Sequence, residues 1–315
     1  MNPFYPEPDY ASFKYTEVSV KVGLLKCLSD FDERKYAVDI GANEYFQAVC
    51  YIGTQKIENL RLKRSQNNNP LWKEKVTSWW ELTFIIDGGK DQEEVLQIIE
   101  DICSELSLQL IMQDTAIFNY GVRGFSFLQM DVKRKYAKEA KIFGEIDINR
   151  YGMAIMSDWK YTLEQFALDL PCTGTLQRDG YKAFRDAFLT GISSGDVVGR
   201  FILLYYLFEM IYKSEGYQRT HTAAIEEGWP DRSRSFLLLQ YLRNELHIYS
   251  YVTKDESIPL KQEILKEIID IRNDLAHRAD RTKVNMIMYE HLVPILKEVL
   301  KSMKTCPTCS SNHSD

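Results

Sequence analysis

The sequence predicts an α+β N-terminal domain followed by an all-α helical bundle, and three observations carry that prediction. Apolar residues alternate with polar ones in three stretches before residue 90, and they recur at helical spacing after about residue 170. Of the 315 residues 45% are hydrophobic, enough to give each half a core of its own.

The opening segment, Asn2 to Tyr10, sets Pro3, Pro6 and Pro8 among aromatics and reads as an extended arm. From Glu17 to Val22, Val18, Val20 and Val22 share one face of a half-buried strand. Phe46, Ala48, Cys50 and Ile52 repeat the pattern, as do Trp80, Leu82, Phe84 and Ile86, which run into the turn Asp87-Gly88-Gly89. Val95, Ile98, Ile99, Ile102 and Leu106 then mark a helix, and the apolar run Leu108 to Met112 suggests a return to the sheet. Asn67-Asn68-Asn69-Pro70 reads as a loop, and Lys133 to Lys141 as a basic face or connector.

Beyond Pro171-Cys172-Thr173-Gly174 the strand pattern ends. Val197, Phe201, Leu204, Phe208 and Ile211 mark a long helix starting near Asp196, and Ser235 to Tyr251 and Leu260 to His277 read as two more. The last helix, about Lys283 to Lys304, carries Met288, Leu292, Ile295 and Val299 on one stripe, with a kink expected at Pro294. The expected organisation is an arm at 1–12, an α+β sensing or positioning domain at 13–170, a bundle at 171–304 and a flexible tail at 305–315.

A net charge of −6 excludes a protein that coats nucleic acid through its overall field, so any RNA contact is focal. The greasiest run, Phe201 to Tyr212, is interrupted by Glu209 and is too short to cross a bilayer. Cys27, Cys50, Cys103 and Cys172 stand singly in apolar surroundings, which points to a reducing, cytoplasmic setting. Cys306, Cys309 and His313 supply three soft ligands where structural zinc takes four, so no metal and no cofactor is expected. Asp87-Gly88-Gly89-Lys90 lacks the rest of a P-loop. Trp72, Trp79 and Trp80 beside Arg61, Lys63, Arg64, Lys73 and Lys75 read as sheet core bordered by charge, in preference to a base-stacking groove.

The segment with chemical content is Arg272-Asn273-Asp274-Leu275-Ala276-His277. With about 100° per residue, Ile264, Ile268, Ile271 and Leu275 fall together as a core stripe, Asn273 and His277 lie opposite, and Arg272 flanks it. A plain surface reading makes Asp274 and Arg278 an ion pair at a helix C-terminus. The spacing also resembles the signature of the HEPN superfamily, with Arg, a polar residue and then His near a helix end in a compact bundle, here over about residues 175 to 304. Chain length and domain order are similar to bacterial proteins grouped under the MauJ label.

The resemblance implies a HEPN-like bundle acting as a metal-independent endoribonuclease of antiphage defence or a toxin-like system. It assigns His277 to acid-base chemistry and Arg272 to the phosphate, in a site shared by a homodimer. Imidazole titrates near neutrality and guanidinium is a bidentate phosphate donor, which suits those roles. Arg272 and His277 diverge by about 140° on one helix, a separation that pairing two protomers resolves. Asn273, Arg278, Arg281 and Lys283 are the expected substrate-binding residues. A second, shorter match, Arg243-Asn244-Glu245-Leu246-His247, gives Arg243 and His247 as weaker candidates, His247 flanking a stripe of Leu239, Leu242, Leu246 and Tyr249. The expected partner is RNA or a nucleotide, with a protein activator or phage component at the N-terminal domain and no membrane. The alternative is a noncatalytic HEPN module that binds a nucleotide or a protein.

Overall fold

In a computed structural model, the structure describes residues 9–25, 27–28, 35–66, 76–113, 127–136, 142–146, 159–163, 168, 170, 180–194, 196–253, 256–275 and 281–304. The chain forms two compact units, the first built on the N-terminal strands and the second on the C-terminal helices.

The first unit holds a six-stranded sheet in the order β4-β5-β6-β1-β7-β8. Its strands are β1 (Tyr15–Leu25), β4 (Glu44–Ile52), β5 (Gln55–Ser65), β6 (Val76–Asp87), β7 (Phe127–Tyr136) and β8 (Ile142–Ile146), all paired antiparallel. A three-stranded sheet joins β2 (Cys27–Leu28), β3 (Lys35–Ile40) and β9 (Trp159–Leu163). The valines of β1 and Trp80, Leu82, Phe84 and Ile86 of β6 are buried as the alternation predicts. On the opposite face Glu44, Lys63, Glu81 and Lys21 stand opposite one another across four strands with alternating sign, a solvated ladder.

Several expectations are corrected here. Residues 10–12 of the predicted arm form a 3-10 turn, Tyr10–Ser12. Phe46 and Ala48 are exposed, while Tyr45, Cys50 and Ile52 are buried. The cause is in β5, where the register to β6 shifts between Glu58 and Arg61 and Asn59 has φ 51°, so the inward phase moves from Ile57 to Leu60 and Leu62. β4 pairs with β5 and follows that change of face. Leu108 to Met112 does not return to the sheet but continues the helix α1 (Gln92–Gln113), because a segment buried on several sides carries no readable period. Lys133 to Tyr136 belongs to β7, with Val132 and Arg134 turned inward; residues 137–141 lie outside the described residues, as do 67–70 and Trp72.

The Gly88-Gly89 turn is filled by its own chain. Thr16 Oγ1 donates to the Gly88 carbonyl at 2.8 Å and accepts from Lys90 N at 2.9 Å, and a Cβ on Gly89 would meet the Tyr10 carbonyl oxygen at 2.0 Å. Trp79 and Trp80 are buried, and Arg64 packs over the Trp80 ring at 4.7 Å.

The second unit contains α2 (Tyr181–Ser193), α3 (Val197–Lys213), α4 (Glu215–Glu226), α5 (Arg234–Asn244), α6 (Gln262–Asp274), α7 (Arg281–Ile287) and α8 (Val293–Lys304). Asp196 caps α3, accepting from Gly199 N at 2.9 Å, and Gly191 lets α2 approach Leu204 closely. Among the described residues no helix is long and apolar enough to cross a membrane. The unit is not purely helical, because a hairpin of β10 (Ser250–Thr253) and β11 (Glu256–Pro259) stands where the helix Ser235 to Tyr251 was expected to continue. α5 ends at Asn244, and His247 takes a left-handed φ of 56° while Ile248 N donates back to the Leu242 carbonyl. Tyr249 therefore leaves the expected stripe and is exposed. In the last helix the break before Pro294 is a π-helical turn, Met288–Leu292, closed by Val293 N donating to Met288. The missing amide of Pro294 removes one α-type bond at that point.

Candidate functional site

α6 carries the first half of the motif. Its buried stripe is Leu265, Ile268 and Ile271, with Ile264 and Leu275 half-buried, so the core direction is rotated by about 30° toward Arg272 relative to the wheel expected from sequence. Arg272 thus lies along the packed surface with its head exposed. Its guanidinium sits 5.7 Å over the Tyr205 ring of α3 and donates weakly to Asn273 Oδ1 at 3.4 Å. No carboxylate pairs with Arg272 among the described residues, which leaves its remaining donors open to a ligand.

α6 ends at Asp274, with Leu275 as its C-cap. The expectation of one helix through His277 is corrected to that extent. His277 and Arg278 lie outside the described residues, as do Cys306, Cys309 and His313. Arg281 begins α7. Lys283 is exposed and pairs with Glu267 Oε1 at 3.6 Å, so part of its charge is engaged with α6.

The second Arg-Asn-x-x-His stretch is structural where it can be read. Arg243 donates through Nη2 to the Leu260 carbonyl at 2.7 Å and ties the end of α5 to the start of α6. His247 is exposed in the left-handed turn after α5 rather than on a helix flank.

Tyr205 belongs to a cluster that sequence reading missed. Burial raises the Tyr205 and Tyr212 hydroxyls above the ordinary tyrosine range, and the two hydroxyls lie close enough to influence each other. Burial also raises Tyr217, whose ring is 5.1 Å from Tyr212. Arg234 lies over Tyr212 at 5.7 Å, and both Arg234 and Arg272 act on Tyr205 to favour its anion. Two guanidiniums thus converge on one buried tyrosine pair. The available signal was modest: Arg234 follows Asp231-Arg232-Ser233, a helix start with Ser233 accepting from Phe236 N at 3.3 Å.

Beside this cluster a groove of about 360 Å³ runs between the start of α5 and α6, lined by Asp231, Arg234, Gln262, Lys266, Ile269 and Asp270. Gln262 Nε2 donates to Asp231 Oδ2 at 2.7 Å. Asp231 is held below the ordinary carboxylate range by the Ser233 amide first, then by Gln262 and the Ser233 hydroxyl. Lys266 and Asp270 are exposed. Together with Asn273, the groove gives α6 a polar edge that leads toward the end of the motif. Among the described residues no three His, Cys, Asp or Glu side chains gather in a metal-binding group.

Compared with models of known protein families, with curated proteins and with solved structures, the chain matches none of them.

Proposed function

We propose that this chain is a metal-independent endoribonuclease of HEPN type, in antiphage defence or a toxin-like system, with a site composed across a homodimer. The observation that carries the reading is Arg272, exposed at the end of α6, braced by the Tyr205 ring and free of a carboxylate partner among the described residues. A guanidinium so held is pre-organised for a phosphodiester and loses little freedom on binding. His277, on the segment that follows, exchanges the proton between the ribose 2′-hydroxyl and the leaving oxygen, the acid-base step that in-line RNA cleavage needs. Arg234 adds a second positive end to the same cluster.

The alternative is a noncatalytic module in which the same residues hold a nucleotide. The groove beside Arg234 favours it, since Gln262 and Asp270 offer base-edge partners and Ile269 a flat apolar contact. Purified wild type, His277→Ala and Arg272→Ala are compared on a mixed RNA pool with EDTA present. Cleavage by the wild type alone supports the nuclease; equal cleavage by all three, or none by any, removes it.

A further inference from the structure

The helix α3 is apolar over most of its circumference, interrupted by Arg200 and Glu209, yet part of the apolar surface faces solvent. Phe201, Leu204, Phe208 and Ile211 are buried, whereas Ile202 is 51% exposed, Leu203 41% and Tyr206 52%. Three large apolar side chains within two turns of one helix are more than scattered surface hydrophobes.

Their placement has a pattern. Asp196, Gly199, Leu203, Tyr206, Met210 and Lys213 follow one another at intervals of three and four residues, the a/d spacing of a two-helix seam, and all are at least partly exposed. The stripe lies roughly 150° around the helix from the core-facing residues. A seam of this kind pairs each a position with a d position when two helices run antiparallel. Applied to α3 and a second α3, that rule sets Leu203 against Tyr206, Gly199 against Met210 and Asp196 against Lys213.

Each pairing is complementary. Leucine meets an aromatic ring at the centre, and the largest flexible side chain, Met210, faces a glycine. A Cβ built on Gly199 would make only ordinary contacts, 3.7 Å from Asp196 Oδ2 and from Ser194 Oγ, so nothing crowds the glycine. At each end an acidic helix start faces a basic helix end, a charge match that also opposes the two helix dipoles. A parallel pairing would instead set Lys213 against Lys213.

We infer that α3 is the interface between two copies of this chain, packed antiparallel about a two-fold axis that passes between Leu204 and Tyr205. An isologous contact of this kind needs one surface only, which is what the stripe supplies. A two-fold axis perpendicular to both helices keeps flanking residues on one face of the pair. Tyr205 lies at the level of that axis, so the two Arg272 guanidiniums stacked on it face the same side. This last consequence rests on the ribonuclease reading; the interface does not.

The full-length protein is tested by light scattering and by cysteine crosslinking, neither of which requires RNA. The wild type is expected to be a dimer at tens of micromolar, with Leu203→Glu and Tyr206→Glu each raising the dissociation constant by about 30-fold or more. Circular dichroism checks that both variants remain folded, and Leu203→Ala gives a milder second measure. Gly199→Cys and Met210→Cys are expected to form a disulfide with each other when mixed, identified from the linked peptides. Neither variant should link through that position alone, since each pair of like residues is offset by about 16 Å along the seam and a disulfide spans no more than about 7 Å between Cα atoms. A monomeric wild type, a dimer indifferent to Leu203 and Tyr206, or self-linking of Met210→Cys overturns the interface. A dimer with these properties that cleaves no RNA leaves the interface standing and removes the nuclease.

Discussion

Arg243 and Arg272 each open an Arg-Asn stretch, and the structure predicts opposite phenotypes for their loss. Arg243→Ala removes a 2.7 Å bond from a guanidinium to the carbonyl of Leu260, a fully buried residue, and leaves that carbonyl without this donor. A charge-assisted bond contributes about 1.5–3 kcal/mol, so the loss comes to about 2–3 kcal/mol. For a unit of this size that lowers the melting temperature by roughly 6–9 °C. Arg272→Ala gives up only an exposed contact with Tyr205 and a 3.4 Å bond to Asn273, together ~1 kcal/mol or less. On the proposed ribonuclease reading its expected cost is on cleavage, by about 100-fold or more, as for removal of a donor that holds the reacting phosphate. Thermal unfolding followed by circular dichroism and cleavage of a fluorescent RNA are measured on both variants. An Arg243→Ala protein of unchanged stability that has lost cleavage would refute the assignment, as would an Arg272→Ala protein destabilised as much as Arg243→Ala is expected to be.

Other expectations follow from single contacts. Tyr251, pushed up to about 12 mainly by burial and hydrogen-bonded to His291 Nδ1 at 2.6 Å, keeps its proton in the folded state after the unfolded chain has released it. Its contribution is therefore intact below about pH 10 and is lost as pH rises toward 12, by ~1–2 kcal/mol after allowing for solvent screening. Urea midpoints for Tyr251→Phe should fall less steeply over that range than for the wild type, and an identical slope counts against the argument. Gly89→Ala forces the Tyr10–Ser12 turn away from a backbone oxygen and should cost about 1–3 kcal/mol, seen as faster proteolysis near Lys14; unchanged proteolysis would show that the turn can yield. Gly53→Ala, in open space with φ 60°, should cost about 1 kcal/mol from backbone strain alone, and a larger loss in urea unfolding would point to an additional contact.

Much of the fold is readable from periodicity. The inward valines of β1, the buried residues of β6, the start of α1, the core face of α3 and the break before Pro294 are each written into a stretch of a dozen residues or so. Arg272 and Asn273 were legible as a motif, and both are exposed at the end of α6. Arg234 and Tyr205 were not, because they reach the site from other helices and carry no motif of their own. Arg243 matched a motif in sequence and turned out to be a hydrogen-bond donor to a distant carbonyl.

What the sequence by itself determined is the kind of structure in each half and the inward face of its regular segments, since alternation and helical recurrence are properties of neighbouring residues. Only the tertiary structure decided where β4 changes face, that Leu108 to Met112 stays helical, and that α5 gives way to a hairpin after His247. The first depends on a bulge in the strand alongside, the second on burial from several directions, and the third on Arg243 meeting Leu260. Each is settled by groups far apart in the chain, whose mutual contacts leave no local period to read.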